Sequence, residues 1–522
     1  MDHFPRMPRD HVQIPDDEEA LRKLITACEP GGGRALRVVG SSHSVTESIA
    51  GSTDVIVSLE KLRRVLDYDP VRGRIRAQAG MTLGPCPLWP DRPDVETFGG
   101  YLEQQARASG SGWALPNLGG ITHQTLGGFL STGSSGGSLQ YSLGDALLSF
   151  ELIDGRGETR TIRRGDPQFD AVAVSLGLCG VITSVEFQCE PWFDVIGRET
   201  TTHTADCEID LFGDGPRSLR EFLTQTPYTR LLWWPQAGVD KITVWQARRM
   251  QHTDYLAQHS TPLALNRKPY EAIGVAGQLV ADAFYSFLGL GYASSVIDHW
   301  IKAITPKIAA PVINAFVPMN ASQPTLFWDY WRFGLPMDDH SSDHLMATGF
   351  TELWIPIERT QEVMVALRDH YRDNGLSATG TYACEIYGAK KSPFFLSPSY
   401  GSDMVRIDIF WFERNREDAA TEFYPQFWSL LSRFGFRPHW GKTLPAAGSA
   451  TGAAYVREQY PRFAEFMELR EQFDPDQVFV TEYWREHLGI ARPAARTHSV
   501  VVPRGPAADG NRAIASGGSQ SA

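Results

Sequence analysis

The chain has 522 residues, enough for two or three domains around a large hydrophobic core. Its formal net charge of −12 excludes a sequence-independent nucleic-acid binder, which needs a basic face. With 42% hydrophobic and 21% charged residues it has the composition of a globular protein, and no run of about 18 uninterrupted apolar residues predicts a spanning helix.

The six cysteines, Cys28, Cys86, Cys179, Cys189, Cys207 and Cys384, form no CxxC pair. They read as reduced thiols, neither a disulfide framework nor a zinc site. The opening "MDHFPRMPRDHVQIPDDEEA" is polar and acidic, without a secretory pattern. A cytoplasmic enzyme without a metal is the expectation.

In chain order, "DDEEALRKLITAC" (16–28) has helical apolar spacing with acids at its start, which suits the positive end of a helix. Short β-rich runs follow: "ALRVVG" (35–40), "DVIVSL" (54–59) and "RIRAQAG" (74–80). Residues 109–145 hold 10 glycines, interleaved with Trp113, Leu115, Leu118, Ile121, Leu126, Phe129 and Leu130, a pattern that favours a ligand cradle over disorder. "LLSFELIDGRGETRTI" (147–162) predicts a hairpin around Asp154-Gly155, and "GVITSVEFQCE" (180–190) a further strand. Residues 1–195 thus read as an α+β domain.

From 196 to about 440 the chain turns apolar and aromatic, with strand-like "RLLWWP" (230–235), "KITVWQA" (241–247), "FTELWIPI" (350–357) and "MVRIDIFWF" (404–412). These predict an antiparallel sheet covered by helices. An insertion at about 255–335 contains an apolar, helix-like stretch, 274–317, broken by Gly289, Gly291 and Pro306. Its ordinary reading is helices buried over a sheet. The sharper readings are a cap over a hydrophobic pocket or a patch resting on a membrane surface. Residues 441–490 form a C-terminal return with an amphipathic helix ended by Asp474-Pro475. The Ala-, Gly-, Pro- and Ser-rich 491–522 predicts a disordered tail.

Four stretches carry the chemistry: "VVGSSHSVTES", "WALPNLGGITHQTLGGFLSTGSSGGS" (113–138), "SLGLCGVITSVEF" (175–187) and "RPHWGK" (437–442). None fits the dinucleotide or phosphate-loop glycine patterns. In this order they resemble the vanillyl-alcohol-oxidase-type (PCMH-type) FAD flavoproteins, in particular their aldonolactone and alditol oxidase branch. The resemblance covers about residues 15–195 and 350–490. It implies a two-subdomain FAD-binding domain plus a substrate cap.

The same resemblance implies FAD bonded covalently through its 8α-methyl to His43; the bland alternative is a solvated loop histidine with noncovalent FAD. Small neighbours Gly40, Ser41, Ser42 and Ser44 would let backbone N–H groups reach the pyrophosphate. Pro116, Asn117, Gly119, Gly120, Thr125, Gly128, Thr132, Gly133, Ser135, Val181 and Ile182 would line the flavin, with His439 touching it. Gly119 falls where the family keeps a small residue over the flavin edge, which leaves room for dioxygen. The second stretch has no cysteine, so no second link is implied.

On the substrate side Lys442 would meet the reacting hydroxyl. Glu385 matches the branch, but Tyr387 stands where the branch has arginine, and Asp408 where it has histidine. In an extended strand Arg406, Asp408 and Phe410 share one face, so an arginine can return from position 406. Lys442, if neutral, and Asp408 are the candidate bases, and Glu385 reads otherwise as a buried carboxylate held by Lys442 or Arg406. The implied activity is an oxidase passing a hydride from the CH–OH of an alcohol or lactone to flavin N5, with dioxygen leaving as hydrogen peroxide. The alternatives are a dehydrogenase that feeds a carrier or quinone and a flavin-binding protein without turnover.

Overall fold

A computed structural model describes residues 12–28, 34–49, 51, 54–86, 89, 91–251, 275–337 and 347–493. Met1–Ala491 form one compact unit and Arg492–Ala522 a second. The predicted tail therefore lies almost wholly outside the described residues, as does the start of the predicted insertion.

The first helix, Glu18–Thr26, begins where its acids predict: the Asp17 carboxylate accepts from Ala20 N at 2.8 Å, and Glu18 and Glu19 occupy the first turn. Strands β1 (Val12–Gln13), β2 (Leu36–Val39) and β3 (Val55–Ser58) form a parallel sheet in the order β1-β3-β2. Next come β4 (Val65–Asp69), β5 (Arg74–Gln78), β6 (Trp113–Ala114), β7 (Leu147–Ile153), β8 (Thr159–Arg163), β9 (Val181–Gln188) and β10 (Glu190–Pro191). Five of them make an antiparallel sheet, β4-β5-β9-β7-β8, in which β7 and β8 are the predicted hairpin; β6 and β10 pair separately.

The second half is an eight-stranded antiparallel sheet. Its strands are β11 (Asp194–His203), β12 (Tyr228–Trp234), β13 (Lys241–Met250), β14 (Thr325–Tyr330), β15 (Thr348–Pro356), β16 (Cys384–Ala389), β17 (Met404–Phe412) and β18 (Arg437–Pro438). Their order is β14-β11-β13-β12-β16-β17-β15-β18. Strand alternation divides the sheet into two faces. Leu231, Trp233, Leu353, Ile355, Ile386, Ile407 and Ile409 are buried in one core with Leu219, Val363, Leu367 and Phe427 from helices Leu219–Gln225, Thr360–Asn374 and Tyr424–Leu431. The other face looks into a cavity against the first half.

The apolar insertion forms two helices, Val275–Gly289 and Ser295–Phe316, joined through Leu290–Ala293. The expected break at Gly289–Gly291 is present. The break at Pro306 is not: the second helix runs through both Pro306 and Pro311. Ile301, Thr305, Ala309, Ile313 and Phe316 are buried on both sides of the proline, so tertiary packing offsets the lost N–H. That inner face packs on Trp234, Tyr382 and Phe412, where Tyr285 stacks on Tyr382 at 4.8 Å and donates its hydroxyl to Thr381 O at 2.9 Å. The outer face leaves Leu279, Tyr292, Val296 and Trp300 more than 60% exposed. Among the described residues no helix is long and apolar enough to cross a membrane.

The C-terminal return closes the first half. Helix Phe463–Phe473 stops at Asp474, whose carboxylate accepts from Val478 N at 2.7 Å and Phe479 N at 2.9 Å. The buried Arg37 guanidinium donates to the carbonyls of Ile49, Leu176, Gly177 and Phe479 at 2.7–3.3 Å, which ties β2 to the cavity wall and to this return.

The two faces of the insertion make unequal contributions. Phe316→Ala, in the inner face, should cost about 3–5 kcal/mol, whereas Trp300→Ala should stay within about 0.5 kcal/mol. Urea unfolding of both variants checks this; equal losses would mean that the exposed face is structurally engaged.

Candidate active site

A cavity of about 470 Å³ lies between the two halves. One wall carries Gly40, Ser41, Ser42, His43 and Ser44 from the loop after β2, with Gly119, Gly120, Thr125, Gly128, Thr132, Ser135, Val181 and Ile182. The opposite wall carries Arg230, Glu352, Glu385, Tyr387, Arg406 and Asp408 from the large sheet, and His439 and Lys442 from the loop after β18. Pro116, Asn117 and Gly133 do not line it. The Pro116 carbonyl accepts from Tyr228 Oη and Arg249 Nη2, both at 2.7 Å, and Asn117 Nδ2 donates to Tyr141 O at 3.1 Å. These two residues hold the glycine-rich loop from behind. Gly133, with φ +68°, is needed for a left-handed turn against Pro398 and Val174.

The first wall fits a dinucleotide. A Cβ at Gly40 would lie 2.5 Å from Thr125 Oγ1, so only glycine lets the two loops close on each other. Ser42 has φ +59°, the left-handed conformation that turns successive N–H groups toward one side. The N–H groups of Ser41, Ser42 and Ser44 donate to no acceptor among the described residues, which leaves them available to phosphate oxygens. The His43 ring lies 4.0 Å from that of His123, tilted by 48°; His123 is absent from the sequence-based site. Burial, the His123 ring and the Lys442 charge hold the His43 pKa well below its ordinary value, and burial pushes His123 down to about 4. Both imidazoles are neutral at pH 7, the form in which a ring nitrogen is nucleophilic.

On the sheet wall, register decides which groups meet. Leu232, Glu385, Asp408 and Glu352 pair across β12, β16, β17 and β15 as one row. Two residues along, Tyr387, Arg406 and Trp354 form the next row, with Arg230 beside them on β12. Arg230 Nε donates to Glu385 Oε1 at 2.5 Å, with both side chains almost fully buried. Glu385 is thus held by Arg230, a partner other than the Lys442 or Arg406 that the sequence reading offered. The Arg406 guanidinium lies between the Trp354 and Tyr387 rings, 4.7 and 4.6 Å from their centroids, and donates to Ser135 O at 2.8 Å.

Arg406 is shared unequally by two acids. Its Nη2 is 2.8 Å from Glu352 Oε1, which also accepts from Trp354 Nε1 at 2.7 Å, but 3.6 Å from Asp408 Oδ2. Asp408 Oδ1 is buried with no hydrogen-bond partner among the described residues. Burial raises both acids; for Glu352 it is outweighed by Arg406, His439 and Lys442, so that carboxyl is held below its ordinary pKa. For Asp408 burial and the Glu352 charge win, and its pKa stands well above the ordinary value. The protonated form of Asp408 is therefore favoured over that of an exposed aspartate. In its protonated form this carboxyl donates a hydrogen bond; in its ionised form the raised pKa makes it the stronger base.

The "RPHWGK" stretch reaches the cavity because β18 pairs with β15 at Leu353 and Trp354, after which His439 N donates to Glu352 O at 2.9 Å. Gly441 N donates to His439 Nδ1 at 3.0 Å, which places the proton of the neutral ring on Nε2, 3.3 Å from Ser134 Oγ. Burial brings the His439 pKa down to about 4. Lys442 Nζ sits 4.0 Å over the Phe350 ring and 3.5 Å from the His43 carbonyl. The structure thus joins His43, Lys442, His439, Glu385, Asp408, Arg406 and Tyr387 in one cavity, and adds Arg230, Glu352 and Phe350 to its lining and His123 against the His43 ring, all of which the sequence reading missed.

Sequence comparison first gives the class: residues 9–86 match the FAD binding domain, and the protein is an FAD flavoprotein. Residues 185–487, more than half of the chain, match D-arabinono-1,4-lactone oxidase, and the chain belongs to that family of FAD-dependent oxidoreductases acting on CH–OH groups. It is 25% identical to L-gulonolactone oxidase of Scyliorhinus torazame, over 90% of this chain and 93% of that one. It is 26% identical to L-gulono-1,4-lactone dehydrogenase of Mycobacterium tuberculosis, over 91% and 95%, and 23% identical to alditol oxidase of a Streptomyces species, over 86% and 89%. Cholesterol oxidase of Brevibacterium sterolicum shares the fold, with TM-score 0.69 at 14% identity over 91% of this chain and 94% of that structure.

Two outcomes follow from the sheet wall. Arg230→Leu removes the guanidinium from the buried Glu385 and should cost about 3–5 kcal/mol in denaturant unfolding; adding Glu385→Gln should recover part of the loss. Asp408 is raised in the folded state, so its contribution to stability is complete below about pH 4, the unfolded carboxylate range, and is lost as pH rises through the folded value. Asp408→Asn should then flatten the alkaline fall in Tm and leave flavin reduction at pH 7 within about threefold of wild type. A drop of about tenfold or more would restore Asp408 as the base.

Proposed function

We propose that the protein is an oxidase of an alcohol or lactone, with FAD bonded to the His43 ring and dioxygen as electron acceptor. The observation that carries this reading is the neutral His43 imidazole in a cavity wall of small residues, with Lys442 Nζ 3.5 Å from its backbone carbonyl. The bound flavin supplies a two-electron acceptor for the hydride of the CH–OH carbon and is returned by dioxygen, which leaves as hydrogen peroxide.

The chain's own groups handle the proton and the orientation. Lys442 Nζ, once it has given up its own proton, takes the proton of the substrate hydroxyl. Glu385, fixed by Arg230, accepts a hydrogen bond from the substrate, and protonated Asp408 donates one. Oxygen access past Gly119 is part of this reading; the wall itself needs glycine there, because a Cβ would meet Gln124 Oε1 at 2.9 Å and Phe129 Cε2 at 3.2 Å. A cytoplasmic location is proposed with it, on the spacing of the six cysteines, none of which falls in a CxxC pair.

The flavin should stay with the protein through acid precipitation. His43→Ala should release it on denaturation and turn over substrate on the order of tenfold more slowly, about 1.4 kcal/mol in barrier. Complete release of flavin by the denatured wild type would defeat the covalent link. Reduced enzyme that recolours with an artificial dye but not in air would make this a dehydrogenase, the activity in the name of the mycobacterial relative.

A further inference from the structure

The cavity face of the large sheet has a third row. Two residues beyond Glu385, Asp408 and Glu352 on their strands, the cavity is lined by Ala383, Phe410 and Phe350, and by Trp234 beyond Leu232 on β12. The Phe350 and Phe410 rings lie 5.1 Å apart, and Tyr382 is 6.4 Å from Phe410. Leu232, Phe350 and Phe410 are only part-buried, so they present apolar surface to the cavity. Trp234 is 6% exposed, and its Nε1 is a buried donor with no hydrogen-bond partner among the described residues. Two residues of strand are about 7 Å, so this row begins roughly one ring width from the acids.

We propose that the substrate carries an aryl or alicyclic substituent seated on Leu232 and Phe410, one row or about 7 Å from the acids, beside the Phe350 ring that Lys442 Nζ covers. This deepens the oxidase reading of the same site and rests on it. The reasoning is one of satisfied and unsatisfied groups. A polyol running along this face meets rings where its hydroxyls need partners, and each buried hydroxyl without one costs about 1–3 kcal/mol, or roughly 5- to 150-fold. An apolar body instead removes aromatic and aliphatic surface from water.

The test compares D-arabinono-1,4-lactone with its 5-O-benzyl ether on the purified holoenzyme under nitrogen. Isothermal titration reads binding, and bleaching of the flavin absorbance reads oxidation separately. The benzyl ether should bind at least tenfold more tightly, and Phe410→Leu should narrow the ratio of the two dissociation constants at least threefold. Equal or weaker binding of the benzyl ether, or no binding of it at all, overturns the inference. Tighter binding without bleaching leaves the inference standing and counts against oxidation of this carbinol. Because the comparison of the two ligands is made first on the wild type, a Phe410 variant that fails to fold does not decide the matter.

Discussion

The register of four antiparallel strands is the constraint on which this site depends. Pairing of β12, β16, β17 and β15 brings Glu385, Asp408 and Glu352 side by side and sets Arg230, Tyr387, Arg406 and Trp354 one row away. A slip by one residue in any of these strands would send its members to the helix-covered face, into a core of Leu231, Ile386, Ile407 and Leu353. The apolar side of the sheet therefore enforces the polar side. The register is fixed by burial of side chains that never meet the substrate.

That row poses an electrostatic problem whose solution shapes the chemistry. Three buried carboxyls face two guanidiniums and one ammonium, and like charges this close cannot all persist. Distance settles which acid yields. Arg230 is committed to Glu385, and Arg406 is 2.8 Å from Glu352 against 3.6 Å from Asp408. Asp408 is the acid whose pKa is raised. Neutral His43, His123 and His439 keep further positive charge out of the same space.

Much of this was legible in the sequence where the cause is local. The helix at Glu18–Thr26 follows from its acids and apolar spacing, and Arg406, Asp408 and Phe410 share a face because a strand alternates. The cavity loop showed itself through small residues around His43. What escaped was set by pairing between distant segments. Arg230 sits in "RLLWWP", which reads as an apolar strand; nothing local says that it lies beside Glu385, 155 positions away. Glu352 is equally hidden in "FTELWIPI". His123 could have been noticed, as a second histidine inside a glycine-rich cradle. Pro116 and Asn117 belong to the right motif but support it from outside, a distinction that depends on which way a loop turns. Pro306 misled because intrinsic helix propensity gave way to packing.

The cysteines acquire a meaning from the proposed chemistry. An oxidase that hands electrons to dioxygen makes its own damaging reagent at every turnover, at a site enclosed by its own chain. Peroxide attacks thiolates, not thiols. Here Cys86, Cys179, Cys189, Cys207 and Cys384 are buried, and Cys28 is half-buried. Burial pushes Cys179 and Cys189 up to about 12, and raises Cys28, Cys207 and Cys384 as well. A thiol with a pKa near 12 has a thiolate fraction on the order of one in 10⁵ at pH 7. The same dry interior that packs the two halves together thus makes the enzyme chemically durable toward its own by-product.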